Sequence, residues 1–164
     1  MILIGMGGNL DSPRFGPPRE TLTAALAKLR RESISILARS GWYRSEPVPR
    51  SSQPWFVNAV VSVATVLGAS ELLAKLQTVE TRFGRVRGER NAPRILDLDI
   101  LDYHGEVMDT PSLVLPHPRL HERRFALMPI AEIAPSWRHP IFGLTAEELL
   151  ARLPTDQQVE PLPC

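Results

Sequence analysis

Cysteine is nearly absent from this 164-residue chain: its one Cys is Cys164, the last residue. That excludes an internal disulfide framework and any Cys-rich zinc site, and it fits a reducing compartment, so the expected location is the cytoplasm. Lysine is scarce as well, with Lys28 and Lys75 set against 17 arginines. Charge of one sign is missing: 19 basic and 18 acidic residues leave a net charge of +1, so no global field draws the chain to nucleic acid or to an anionic membrane. Long apolar runs are missing too. The longest, from Phe56 to Leu67, is broken by Asn58, Ser62 and Thr65, and a bilayer span needs ~20 residues. Met1 to Leu10 carries no basic segment before its apolar run, unlike a signal peptide. What is present is ordinary for a soluble globular protein: 43% hydrophobic and 23% charged residues, enough for one core in one domain over 1–164.

The pattern along the chain predicts an α+β fold. An apolar strand over 1–6 runs into Gly5, Gly7 and Gly8. Pro18 opens a helix whose Leu22, Ala25, Leu26 and Leu29 recur at three- and four-residue spacing. A second strand is expected over 34–44 and a Val-rich third over 56–66, separated by a proline- and serine-rich loop. Ser70 is the expected cap of a helix that runs to about Arg82 and ends at Gly84. Residues 95–103 alternate with period two and form a fourth strand. The order β-α-β-β-α-β is the ferredoxin-like arrangement, with a largely antiparallel sheet. Beyond it, a hairpin strand near 106–109, a partly helical stretch over 119–133 and a short helix from the Thr145–Glu148 capping box to about Leu153 are expected. The proline-containing tail, 154–164, reads as loosely held.

Chemistry concentrates around the fourth strand. Leu96, Leu98 and Ile100 share one face; Asp97 and Asp99 share the other with Ile95 and Leu101. Carboxylates two residues apart on a strand can converge on a hard cation or a metal pair; the same pattern also occurs on a plain solvent-facing strand. The segment just upstream holds five arginines, Arg82, Arg85, Arg87, Arg90 and Arg94, opposed only by Glu89. Guanidiniums that grip oxyanions beside acids that hold a cation suit a metal–polyphosphate complex, and Mg²⁺ often takes only one or two carboxylates plus substrate phosphates. The motifs of P-loop enzymes and protein kinases are absent. His117 and His121 lie four apart with no third ligand for zinc. Phe56, Asn58 and Phe125 could sandwich and read a flat heterocycle, or pack a core. A nucleic-acid-binding module built on the arginine loop is the competing reading; it conflicts with the net charge and with the two aspartates.

The segment Arg90-Asn-Ala-Pro-Arg-Ile-Leu-Asp-Leu-Asp-Ile-Leu101 satisfies the signature of the 6-hydroxymethyl-7,8-dihydropterin pyrophosphokinases of folate biosynthesis. Other segments resemble that family in the same order: Gly5 to Leu10, Trp42 to Pro47, Gln53 to Asn58, Glu80 with Phe83 to Arg87, and Pro116 to Arg123. The resemblance covers roughly 2–135. It implies transfer of pyrophosphate from ATP to the hydroxymethyl oxygen of the pterin, with release of AMP and two Mg²⁺ ions. It further implies metal ligation by Asp97 and Asp99, with Asp97 near the attacking hydroxyl, and stabilisation of the transferring phosphates by Arg85 and Arg94. Gln77, Glu80, Arg87, Arg90, Arg94, Ile100, His117 and Arg123 would meet ATP. The pterin would stack between Phe56 and Phe125, with Asn58 and the backbone near Ser45 and Val48 reading its edge. The implied partners are these two small molecules, acting on a monomer. This chain departs from the best-known form of the motif: Asn91 and Ala92 stand where that form has Trp-Gly, in a loop one residue shorter.

Overall fold

A computed structural model describes residues 1–85 and 93–163. Seven elements build the core: β1 (Ile2–Gly8), α1 (Pro18–Arg30), β2 (Ser35–Arg39), β3 (Tyr43–Ser45), β4 (Phe56–Ala64), α2 (Ala69–Arg82) and β5 (Asp97–Tyr103). The main sheet runs β5-β1-β4-β3, with β2 also paired to β4, and every pairing is antiparallel. This is the ferredoxin-like arrangement, with its second strand in two pieces. β2 pairs with Ala64–Val61 and β3 with Asn58–Phe56. At the break, Ser40 exchanges backbone and side-chain hydrogen bonds with Val60, and the Gly41 N–H donates to the Glu132 carboxylate.

Both helices lie on one face of the sheet. The apolar stripe of α1 (Leu22, Ala25, Leu26, Leu29) and that of α2 (Leu72, Leu76, Val79) pack on Ile2, Ile4, Met6, Leu98 and Ile100. The helix α2 starts one residue before Ser70: Gly68 is its cap, and the Gly68 N–H donates to Glu71 Oε1 at 3.2 Å. Gly84, at φ +94°, ends it in the left-handed conformation that favours glycine.

The C-terminal third covers part of the other face. A short hairpin, β6 (Met108–Asp109) with β7 (Val114–Leu115), pairs only with itself. Then follow a 3₁₀ turn (Leu120–Glu122), α3 (Arg124–Ile133) and α4 (Ala146–Leu150). The last is closed by the expected Thr145–Glu148 box but stops three residues before Leu153. Leu120, Leu127, Ile130 and Trp137 bury Leu3, Val60 and Leu101 beneath them. A β-bulge sets Leu101 and Asp102 opposite Leu3, which turns both toward this layer. Asp102, nearly inaccessible to solvent, accepts the Trp137 indole N–H at 2.7 Å and the Gly105 N–H at 2.9 Å.

Within the tail, residues 159–163 are anchored. Residues Val159–Pro161 form β8, which adds to the free edge of β3. Leu162 packs on the core and donates its N–H to the Trp42 carbonyl, and Arg19 donates to the Pro163 carbonyl. Proline is compatible with such an edge strand, whose outer side needs no donor. No helix among the described residues is long and apolar enough to cross a membrane.

Candidate active site

The helical cover of the second face gives out toward the other end of the strands. There β1 presents Gly5 and Gly7, directly across from Asp99 and Asp97 on β5, and across from Val60 and Asn58 on β4. Two rows result, Asn58–Gly7–Asp97 and Val60–Gly5–Asp99. With neighbouring strands ~4.8 Å apart, the outer residues of each row are ~10 Å apart with only backbone between them. A Cβ on Gly7 would come within 2.9 Å of Asn58 Oδ1, and one on Gly5 within 3.3 Å of Leu101. The glycines therefore form the floor of a cavity of about 970 Å³.

Asp97 and Asp99 line this cavity, as the alternation predicts. Arg85, just past the end of α2, donates to Asp97 Oδ1 at 2.9 Å and to the carboxylate of Glu80. Glu80 Oε2 also accepts the Leu98 N–H at 2.8 Å. Glu80 is almost fully buried, so its bonds lie within the protein: it ties the end of α2 to β5 and fixes Arg85. Burial, above all, pushes the Glu80 carboxyl above its usual range; Asp97 adds to this, while the Leu98 N–H and Arg85 oppose it. Asp99 is pushed up likewise, by burial first and by the Asp97 charge second, against the pull of Arg123 and Arg85. Arg85 thus pairs directly with Asp97 and Glu80, while Asp99 lies half-buried beside them.

His117 lies on the same cavity. Its Nδ1 accepts the Arg119 N–H at 3.1 Å, which leaves Nε2 as the protonated, donating nitrogen of the neutral ring. Burial, and then the charge of Arg123, bring its pKa down to about 4, so the neutral form persists across the neutral range. Arg94 and Arg123 complete this wall.

The residues expected to read a ring border the same cavity, Phe125 with Arg123 over its ring. Phe56, Asn58 and Phe125 border the cavity with Ser45 and Val48. Asn58 is held by its Nδ2, which donates to Ser45 Oγ at 2.6 Å. Gln77 and Glu80 line a second cavity of about 310 Å³ that shares Arg85, Arg94 and Asp99 with the first. Ile100 departs from its expected place: its side chain points into the helical core, opposite Ile4, and borders neither cavity. The period-two alternation accounts for this, since Ile100 lies on the face opposite Asp99. Arg87 and Arg90 lie outside the described residues.

One organising residue has no motif of its own. Asn9, buried at the end of β1, accepts the Arg94 N–H on Oδ1 at 2.8 Å. Its Nδ2 donates to Gln53 Oε1 at 2.8 Å and to the Pro54 carbonyl at 3.0 Å. A single amide thus joins the arginine wall to the segment leading into Phe56. The arginine count also undersells the rim: Arg50 and Arg119 border the cavity too.

The model of the 7,8-dihydro-6-hydroxymethylpterin-pyrophosphokinase family matches residues 3–135. The chain belongs to this family. Among curated relatives, it is 39% identical over 163 residues to the 2-amino-4-hydroxy-6-hydroxymethyldihydropteridine pyrophosphokinase of Pseudomonas aeruginosa, covering 99% of this chain and 96% of that one. The enzyme of the same name from Methylorubrum extorquens is 39% identical over 151 residues, 92% and 91% of the two chains. The one from Synechocystis is 37% identical over 152 residues, 92% and 75%. The family match spans every cavity residue discussed so far and stops two residues past α3, so the capping elements after Pro135 lie outside it.

Proposed function

We propose that this protein transfers the terminal pyrophosphate of ATP to the hydroxymethyl oxygen of 6-hydroxymethyl-7,8-dihydropterin, releasing AMP. The observation that carries the reading is one cavity with two unlike ends. Asp97 and Asp99 stand on one side of a glycine floor and Phe56 and Asn58 on the other, while Arg85, Arg94, Arg123 and Phe125 also border the cavity, Arg123 lying against the Phe125 ring at 5.5 Å. The first end suits a metal-bound polyphosphate; the second suits a flat heterocycle with donors and acceptors on its edge.

The reaction is an in-line displacement. The pterin oxygen forms a bond to the β-phosphorus of ATP while the bond from that phosphorus to the bridging α,β-oxygen breaks. AMP leaves with the electron pair, and the hydroxyl proton is lost. Such a displacement asks the protein chiefly for positioning and charge compensation. Asp97 and Asp99 fit Mg²⁺: they are hard oxygen donors on one strand face, and the Asp99 carboxyl, raised by burial first and by the Asp97 charge second, is shifted in the sense that a bound cation would oppose. Two carboxylates on one strand face leave coordination positions that phosphate oxygens would fill. Mg²⁺ held by Asp97 and Asp99 would neutralise phosphate charge and make the β-phosphorus more electrophilic, and the family resemblance implies two such ions.

The chain's own residues then have distinct tasks. Arg85, fixed by Glu80, and Arg94, fixed by Asn9, offer guanidiniums to the transferring group. His117, neutral with Nε2 as donor, and Arg123 hold further phosphate oxygens, while Gln77 borders a nucleoside subsite. Arg87 and Arg90 join the nucleotide contacts on the family pattern. A contact of Ile100 with the nucleoside would run through its backbone on the open edge of β5. Phe56 and Phe125 sandwich the pterin, and Asn58 with the backbone at Ser45 and Val48 reads its edge. The protein acts as a monomer in the cytoplasm. The test is AMP release in a coupled assay, with ATP and Mg²⁺, in the presence and absence of the hydroxymethyl pterin. AMP formed only when the pterin is present is the expected result; none with it refutes the reading.

A further inference from the structure

Leu153, Pro154, Asp156 and Gln157 border the main cavity although they lie beyond the part of the chain matched by the family model. They belong to a strap, residues 151–158, that leaves α4 and enters β8, so both of its ends are fixed to folded elements. On its way the strap meets the loop Glu46–Arg50, which forms the cavity wall nearest Ser45. Gln157 Nε2 donates to the Glu46 carbonyl at 3.1 Å, and the Glu46 N–H donates to the Gln158 carbonyl at 3.1 Å. The Gln158 N–H donates to Glu46 Oε1 at 2.8 Å, and Arg50 donates to the Asp156 carbonyl at 2.8 Å. The Glu46 side chain is only 12% exposed, and its second oxygen faces Arg50 Nε at 3.3 Å. A loop of this composition, with Pro47, Val48 and Pro49 and no ladder of its own, has little else to hold it.

We propose that Gln157 and Glu46 are positioning residues for the ring end of the cavity: the strap clamps the 46–50 loop so that the backbone beside Ser45 and Val48 is preformed to receive the pterin. This rests on the functional reading above. It assigns to the C-terminal strap a share of pterin affinity and none of nucleotide affinity, because no strap residue borders the cavity shared by Gln77 and Glu80.

The test is calorimetric titration of 6-hydroxymethylpterin into protein saturated with Mg²⁺ and an α,β-methylene analogue of ATP, beside titration of the analogue alone. Gln157→Ala and Glu46→Ala should each weaken pterin binding about five-fold or more, the factor that one lost hydrogen bond sets. Affinity for the analogue should stay within about two-fold, well under one hydrogen bond's worth. Glu46→Gln keeps an acceptor for the Gln158 N–H and should restore most of the pterin affinity, which a loss of bulk stability would not predict. Hydrogen exchange at the Glu46 amide should speed up in Gln157→Ala. Should Glu46→Ala fail to fold, Gln157→Ala, which removes one side-chain donor, carries the test. Equal weakening of both ligands, or faster exchange with unchanged pterin affinity, overturns the inference and leaves the functional reading standing. A wild-type protein that binds no pterin overturns both.

Discussion

Replacing Asn9 by alanine probes the link between the two walls. The change removes three hydrogen bonds: Arg94 N–H to Oδ1, and Nδ2 to Gln53 and to the Pro54 carbonyl. The Arg94 segment is not freed altogether, because its carbonyl still accepts the N–H groups of residues 9 and 10, at 2.8 and 3.1 Å. Gln53 is part-exposed and can turn to water. The net loss therefore comes mainly from two backbone partners left unpaired, ~2 kcal/mol at about 1 kcal/mol each. For a chain of this length that lowers the melting temperature by roughly 4–8 °C. The catalytic effect is separate. Arg94 would sample positions away from the transferring phosphates, so kcat should fall ~10-fold or more, short of the ~10²–10³ typical of deleting a charge-stabilising donor outright. Asn9→Asp is the sharper control. It is isosteric and keeps the acceptor for Arg94, but it turns an oxygen toward Gln53 Oε1 and the Pro54 carbonyl, so it should be at least as unstable as the alanine variant. Thermal unfolding and single-turnover kinetics on both variants decide the matter. An Asn9→Ala protein that loses stability but keeps its single-turnover rate would reduce Asn9 to a structural turn residue. An Asn9→Asp protein as stable as wild type would refute the amide orientation.

Asp97→Asn and Asp99→Asn should each abolish or severely reduce pyrophosphate transfer at saturating Mg²⁺ while the cooperative unfolding transition barely moves; wild-type turnover in either would refute metal ligation. Arg94→Ala should lower kcat far more than it raises the nucleotide dissociation constant, and Arg94→Lys should rescue only in part, since an ammonium lacks the planar fork. An Arg94→Ala enzyme that loses only affinity in single-turnover and equilibrium-binding measurements would make this arginine a ground-state clamp. His117 supplies a pH signature in the ligand-free protein. Its folded pKa, about 4, lies below the ordinary 6.5, so from pH 6.5 down to 4 the unfolded chain binds a proton that the folded one refuses, and stability falls with pH over that window. Urea unfolding at pH 7 and pH 5 should show a smaller loss for His117→Asn than for wild type; an equal loss would refute the assignment.

The core was legible wherever local pattern and tertiary burial agreed. The stripes of α1 and α2 and the Asp97–Asp99 alternation read directly because one side of each element is buried. The split of 34–44 into two strands was not legible, since it depends on Ser40 bonding to Val60, twenty residues on. The role of Asn9 was not legible because its partners are 44 and 85 residues away. Gly68 displaced Ser70 as the helix cap because Glu71 reaches back to the Gly68 N–H, a local alternative the pattern left undecided. The tail looked loose because its anchors, β3 and Trp42, are distant in sequence. Ile100 was assigned by resemblance against its own alternation, and the alternation gave the truer account of its side chain.

The paired glycines of β1 make the base of the cavity a sheet of peptide planes. The N–H and C=O groups of those planes are committed to the neighbouring strands, so a ligand resting there finds nothing to bond with and nothing that projects. Such a surface discriminates by thickness alone: a planar ring can lie against it, whereas a puckered ring or a branched substituent is lifted away from the groups on either side. Chemical identity must then be read at the perimeter, where loops from distant parts of the chain can change independently of one another. Mutational tolerance is inverted as a result. Residues with the least chemistry become hard to replace, because even a methyl group on Gly7 would meet Asn58 Oδ1 at 2.9 Å and take depth from every ligand at once.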